Sequence, residues 1–373
     1  MPSRPFRLLI GRPFGIPVYL HVSWLIIFGL IVWTLATGYF PARDPHLSAA
    51  SHWVKGLVAS LLLFVSILLH EMGHALVARR SGLETRSITL FIFGGVAQLA
   101  KDPEDGPTEF KMALAGPIVS FTLAAVFGLA AAAPLLGSSG RAVAGYLALI
   151  NTAIALFNLV PAFPLDGGRL LRGVLWRSLG KARATRAAAT AGTLFAFFLM
   201  ATGVVALLQG VGITGVWYIL IGWFLKEASE GAYGQVRLDE TLHGVTVRDA
   251  MIGQVETLPA EISVAEAAHE HFLRTGYGGY PVTRGDTVIG LLCLRDVLAV
   301  PTHERGSVSV QGAMRPVSPA LLVDADEPLL TAMGKLVRGG AGRLLVMEGG
   351  RFVGLLTMSA VLRHVRVREE LAS

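Results

Sequence analysis

The sequence predicts a multi-pass α-helical membrane protein, with about six transmembrane helices and a re-entrant segment, joined to a soluble α/β domain. Three observations carry this reading. Hydrophobic residues make up 53% of the 373 and charged residues only 16%, with a mean hydropathy of +0.58. Soluble proteins average about 25% charged residues, so the composition argues against a soluble or disordered chain. The long apolar runs all fall before Glu230, and the remainder has mixed charge and repeats itself. One cysteine, Cys293, excludes an intramolecular disulfide and any Cys-rich zinc or iron–sulfur site.

A helix that crosses a bilayer needs roughly 20 mostly apolar residues. The stretches 18–40, 56–78, 112–136, 142–161 and 187–208 meet that length, and 212–225, though shorter, is taken as a sixth. Ile88–Leu99 is too short to cross. Its β-branched and aromatic residues around Gly94–Gly95 suggest a re-entrant hairpin or loop, tolerated at membrane depth only where protein buries it or a wet cavity receives it. Met1–Pro17 carries three arginines before an apolar run without a small-residue cleavage site, and reads as the cytoplasmic arm of a retained first span.

Residues 1–230 hold 18 Lys+Arg against 10 Asp+Glu, whereas residues 231–373 hold 14 against 16. Loops flanking membrane helices account for that basic excess, and no nucleic-acid-binding face is required. With the N-terminus in the cytoplasm, 14 Lys/Arg fall on that side and 3 on the other, which also returns the C-terminal region to the cytoplasm. The six basic residues from Arg169 to Arg186 read as a lipid-facing cytoplasmic loop.

Composition and repetition divide the chain into a transmembrane domain (1–230), a linker (231–244) and two repeats (245–301 and 308–366). Val247–Met251 (VRDAM) recurs as Val310–Met314 (VQGAM), and Val288–Leu298 (VIGLLCLRDVL) as Phe352–Leu362 (FVGLLTMSAVL). A repeat of this length forms a small α/β unit that buries its open face against its twin.

The sharpest chemical signal is His70-Glu71-Met72-Gly73-His74. Residues four apart share one helix face, so both imidazoles can reach a single Zn²⁺ while Glu71 addresses its water. The motif ends an apolar run, where three ionisable groups are costly without a metal or a polar cavity. A catalytic zinc site wants a third protein ligand and an open position. Asp166, in Asn158-Leu-Val-Pro-Ala-Phe-Pro-Leu-Asp166-Gly-Gly-Arg169, is the best candidate; its bland alternative is a turn residue before Gly167–Gly168 or a helix cap. Asp102 and Asp105 sit in a Pro/Gly loop and look solvated.

H-E-x-x-H at the end of a second span, followed far downstream by N-x-x-P-x-x-P-L-D-G-G, resembles the site-2 protease type of intramembrane zinc metalloprotease. The resemblance implies His70, His74 and Asp166 as zinc ligands, Glu71 as general base and Asn158 as a group facing the zinc that helps hold the oxyanion. Gly94–Gly95 and Ala115-Gly116-Pro117 are further similarities. Ser120 stands near a place where the family often has Asn, a departure that weakens any polar role for the third span. The implied activity is cleavage of membrane-protein substrates within or near a transmembrane helix, at the cytoplasmic face of the cell membrane (regulated intramembrane proteolysis). Such a helix must unwind locally before attack, and Ile88–Leu99 could hold the unwound stretch by strand addition, or could simply be a packing hairpin.

The C-terminal repeats resemble a tandem pair of CBS (cystathionine β-synthase) domains. That resemblance implies adenine nucleotide binding or homodimerisation. The family's ribose contact is a Thr/Ser-x-x-Asp segment; here Cys293-Leu-Arg-Asp296 keeps the Asp and Thr357-Met-Ser-Ala360 keeps the hydroxyl, so Asp296 and Thr357 are the candidate nucleotide contacts. The alternative reading of the whole chain is a CBS-regulated channel or transporter, which predicts ionisable residues spread along several spans. Here they cluster at the end of one span and just after another.

Overall fold

The computed structural model describes residues 7–372 apart from 93 and 135; of the expected N-terminal arm, Met1–Phe6 lie outside the described residues. The chain divides into two compact units, Met1–Val236 and Arg237–Ser373.

In the first unit, β1 (Arg7–Gly11) and β2 (Val18–His21) precede α1 (Ser23–Thr34), which runs through one wider turn at Leu35–Tyr39 into α2 (Phe40–Arg43). Then come α3 (Ala49–Arg80), β3 (Thr85–Phe91), β4 (Gly94–Leu99), α4 (Gly106–Ala132), α5 (Ser138–Asn158), α6 (Asp166–Leu179), α7 (Lys181–Leu208) and α8 (Gly212–Thr241). Five helical stretches are long and apolar enough to cross a membrane among the described residues: Ser23–Arg43, α3, α4, α5 and α7. The expected sixth, 212–225, is the first half of α8, which stays helical through residues 231–241, where a linker was expected.

Local chemistry sets the boundaries. Ser48 caps α3 by accepting from Ser51 N–H, and Asp105 caps α4 by accepting from Thr108 N–H, with Pro107 at the start of the helix. α4 therefore begins six residues before the expected 112, and it ends at Ala132, short of Pro134. α5 ends at Asn158, ahead of Pro161.

The first span was expected from residue 18, but Val18–His21 is a strand. Val18 pairs with Ile88 and Leu20 with Leu90 in a parallel register, and the four strands order β1-β2-β3-β4. The Ile88–Leu99 segment is thus an antiparallel hairpin inside a sheet, with Leu90 opposite Gly95 and Phe91 opposite Gly94. Ile16, Val18 and Ile88 pack on Met72 and Ala75 of α3, which fixes the sheet to the helix that carries the two histidines. β4 is left as an edge strand.

In the second unit the two repeats exchange their leading segments. α9 (Val247–Ala250) lies on the second repeat, through Val247 N–H to Glu327 O, Arg248 N–H to Ala325 O and Ile252 N–H to Leu355 O. The first repeat holds β5 (Leu258–Pro259), a helical stretch formed by α10 (Val264–Glu266), Ala267–Phe272 and α11 (Leu273–Thr275), then β6 (Gly279–Arg284), β7 (Thr287–Cys293) and α12 (Leu294–Ala299). α13 (Val310–Ala313) and β8 (Arg315–Pro316) close back onto it, Val310 N–H bonding Ile262 O and β8 pairing with β7. The second repeat follows with β9 (Leu322–Asp324), α14 (Leu329–Arg338), β10 (Arg343–Glu348), β11 (Arg351–Thr357) and α15 (Met358–Ala372). The repeats bury apolar surface against each other through Leu291 and Cys293 on one side and Leu321, Ala341, Leu345 and Leu355 on the other. Burial pushes the Cys293 thiol up, leaving it an inert core residue.

Candidate metal centre

His70 and His74 lie one turn apart on α3, and Asp166 is the first residue of α6. All three are buried, at 4%, 6% and 9% exposure. The two Nε2 atoms are 3.2 Å apart and each lies 3.1 Å from Asp166 Oδ2. One ligand atom from each residue lies within 4.8 Å of the other two.

The far side of each ring bears on what that triangle can hold. His74 Nδ1 is 2.7 Å from the Met112 carbonyl, which can only accept, so this nitrogen carries a proton. In the neutral ring, Nε2 then presents a lone pair. His70 Nδ1 is held 2.8 Å from Ser120 Oγ. Two ring nitrogens and a carboxylate oxygen aimed at one point repel unless a cation or a shared proton sits among them. Edges of 3.1–3.2 Å suit a tetrahedral centre, since ligand bonds of 2.0–2.1 Å give edges of about 3.3 Å. Three N/O donors are the protein donor set of a catalytic zinc, and the residues fit the ion.

Both ring anchors come from α4, so the third span does have a polar role. Ser120, read from sequence as a weakening departure, reaches His70 because α4 passes directly over the motif. Gly116 permits that approach: a Cβ there would collide with Nε2 of both histidines. Met112 contributes only its backbone, which leaves no trace in the sequence.

Asp166 is neither a turn residue nor a solvated cap. Gly167 and Gly168 form the first turn of α6 against the backbone of 159–163, where any side chain would strike Leu159, Val160, Ala162 or Phe163. Phe163 is itself pinned, its N–H donating to Ala188 O of α7 and its carbonyl accepting from Ser229 Oγ of α8 at 2.6 Å. Asp166 is thereby delivered by a loop with little freedom. Asn158 closes α5, half-buried, and among the described residues no hydrogen bond joins it to the three ligands.

The region from Arg169 to Arg186 is not the expected lipid-facing loop. It is the helical α6 and the start of α7, and Arg172 is buried. Arg172 donates through Nε to Glu109 Oε2 at 2.8 Å and through Nη2 to Glu109 Oε1, and Glu109 has no exposed surface at all. The pair joins α4, which anchors the histidines, to α6, which carries Asp166. Gly106 and Gly173 make the contact close enough, since a Cβ on either would meet the other's backbone. Asp102 faces Lys181 at 3.6 Å and Asp105 caps α4, so neither joins the centre.

Glu71 points from α3 toward β4. A Cβ on Gly95 would stand 2.5 Å from Glu71 Cγ, so the edge strand runs directly past the carboxylate. In the second unit, Asp296 accepts from Cys293 N–H at 3.1 Å and from Arg315, whose Nη2 is 2.9 Å away, while Thr357 Oγ1 accepts from Ala360 N–H at the start of α15. The partner carboxylate holds the Arg315 guanidinium above its ordinary pKa.

Comparison with known proteins is consistent along the chain. The family model described as Peptidase family M50 matches residues 58–139 and 135–202, and the CBS domain model matches 247–302 and 310–367. A Synechocystis protein and Rip3 of Mycobacterium tuberculosis, each named "Putative zinc metalloprotease", are 35% and 37% identical. The alignments cover 95% and 96% of this chain and 94% and 92% of those proteins. A Methanocaldococcus jannaschii zinc metalloprotease is 27% identical over 98% of this chain and 97% of its own length. Among solved structures, the site-2 protease of M. jannaschii is 28% identical, spans 61% of this chain and 95% of its own, and superposes with a TM-score of 0.45. CBSX2 in complex with AMP covers 34% of this chain and 99% of its own at 25% identity and a TM-score of 0.30.

Proposed function

The chain belongs to peptidase family M50, and from that membership and the geometry above we propose that it is an intramembrane zinc endopeptidase whose centre is His70, His74 and Asp166, with Glu71 as its general base. The observation that carries this is the triangle of two ring nitrogens and one carboxylate oxygen, each ring fixed from behind by α4. Zinc held there would polarise the scissile carbonyl and acidify the attacking water. The Glu71 carboxylate, adjacent to His70 on the same helix, takes that water's proton and passes it to the leaving amine. Asn158 is proposed as the oxyanion donor. Its side chain has no commitment in the centre's hydrogen-bond set, as suits a group reserved for substrate. The test of the reading is metal content. Purified wild type should carry about one zinc per chain, lost in His70→Ala and in Asp166→Ala, and well-folded wild type without zinc would overturn it.

The substrate is a membrane protein presenting a transmembrane helix, and cleavage requires that helix to unwind. The unwound stretch pairs with the free edge of β4, which brings its carbonyls alongside Glu71. Gly94 has φ of 127°, beyond the reach of proline. Gly94→Pro with Gly95→Pro should abolish cleavage while zinc stays bound, and unaffected cleavage would show that the hairpin merely packs.

The positive-inside bias supports a cytoplasmic N-terminus and a cytoplasmic second unit, with the domain limits at 1–230, 245–301 and 308–366. The CBS pair serves as a nucleotide-sensing or homodimerising module. Asp296 is the candidate contact, and Arg315 holds it. Asp296→Ala should weaken AMP or ATP binding at least tenfold in titration calorimetry on the full chain; unchanged binding would remove Asp296 from the site, and a wild type that binds neither nucleotide would assign the pair to assembly alone.

A further inference from the structure

Along one face of β4, Gly95, Ala97 and Leu99 alternate, and Gly95 is the residue against Glu71. A cavity of about 270 Å³ continues that face. It is lined by Ala97 and Leu99, by Asp102 and Pro103, by Arg169 and Arg172 of α6, and by α8. At about 3.3 Å per strand residue, Ala97 and Leu99 stand about 7–13 Å beyond the contact with Glu71. A segment paired to β4 with its scissile bond at Glu71 would therefore place a side chain two to four residues away inside this cavity.

The charges in the cavity are not equally free. Arg172 is matched by Glu109, whose two oxygens its fork occupies, and Asp102 faces Lys181. Gln235 is neutral. Arg169 is left over. Its one hydrogen bond among the described residues runs from Nε to Glu109 Oε1 at 3.5 Å, on an oxygen already bound by Arg172. Its side chain is 24% exposed, and it lies one turn after Asp166. Nη1 and Nη2, the pair of donors that matches a carboxylate, therefore have no hydrogen-bond partner among the described residues.

We propose that Arg169 is a specificity-determining residue that binds a carboxylate side chain of the substrate, an Asp or Glu two to four residues from the scissile bond on one side. The inference rests on the peptidase reading and on pairing with β4. Glu109 has a part in it: one carboxylate is shared between Arg172 and Arg169, so the three groups carry a net positive charge into the cavity.

The test uses zinc-loaded full chain in detergent, a peptide library from a digested proteome, and mass spectrometry of the cut sites. Wild type should show Asp/Glu enriched severalfold at one position within that window. Arg169→Gln should lose the enrichment, Arg169→Lys should keep it in weaker form, and Arg169→Glu should replace it with Lys/Arg at the same position. A wild type that cuts without acidic preference, or an Arg169→Gln profile like the wild type's, overturns this inference and leaves the peptidase reading standing. Zinc-loaded wild type that cuts neither these peptides nor a detergent-solubilised protein with a transmembrane helix overturns both.

Discussion

Glu71→Gln should keep its zinc and lose cleavage by about 10²–10⁴-fold, the usual contribution of a positioned general base. Gln retains the shape beside Gly95 and can still form a hydrogen bond, so the substitution removes the proton acceptor and little else. Glu71 is not among the three converging ligands, which is why the metal should survive its loss. Zinc content and cleavage measured on one preparation separate the two roles. Loss of zinc in Glu71→Gln would make Glu71 a ligand and send the search for the base elsewhere.

Gly116→Ala should do the reverse, removing the metal with an added methyl group. In an exposed helix interior, Gly→Ala stabilises by up to about 1 kcal/mol. Here the new Cβ falls on Nε2 of His74 and of His70, the atoms that would face the ion. The helix can accommodate it only by moving α4 away, which also withdraws Met112 O and Ser120 Oγ from the opposite side of each ring. Partners of that kind are worth 10–100-fold in metal affinity, so a loss of at least about 100-fold is expected from the combination. Ala115→Gly, one residue away, is the control for a general effect on the helix. A Gly116→Ala protein that binds zinc normally and melts higher would show that α4 does not press on the centre.

Much of this centre is legible in the residues alone. His70, Glu71 and His74 announce themselves through helical spacing, and Asp166 stands out as an acid that follows an apolar run in a short Pro-rich stretch. What surrounds them is not legible, for identifiable reasons. The Met112 carbonyl exists at every position of every chain, so its use is set only by which face of α4 meets α3. Ser120 reads in sequence as the loss of an amide, yet its hydroxyl lies 2.8 Å from the His70 ring and holds it. Arg172 looked like one of several basic loop residues, and only the partner Glu109, 63 positions earlier, explains its burial. The strand Val18–His21 was absorbed into the first span because a short apolar run looks the same as the start of a membrane helix, and its partner Ile88 lies far along the chain.

The free edge of β4 has a consequence for how widely the enzyme can choose. An edge strand offers peptide N–H and C=O groups, and those are common to every protein. Pairing there would confer affinity without regard to sequence, so tolerance of many substrates would be built into that mode of capture. Discrimination is then left to two other properties of the incoming helix: how readily it surrenders its internal hydrogen bonds, and which side chains meet the wall beyond the pairing. Helices weakened by glycine or proline would be favoured on the first count whatever their remaining sequence, and a tightly wound poly-leucine span would be refused even with an ideal side chain in place.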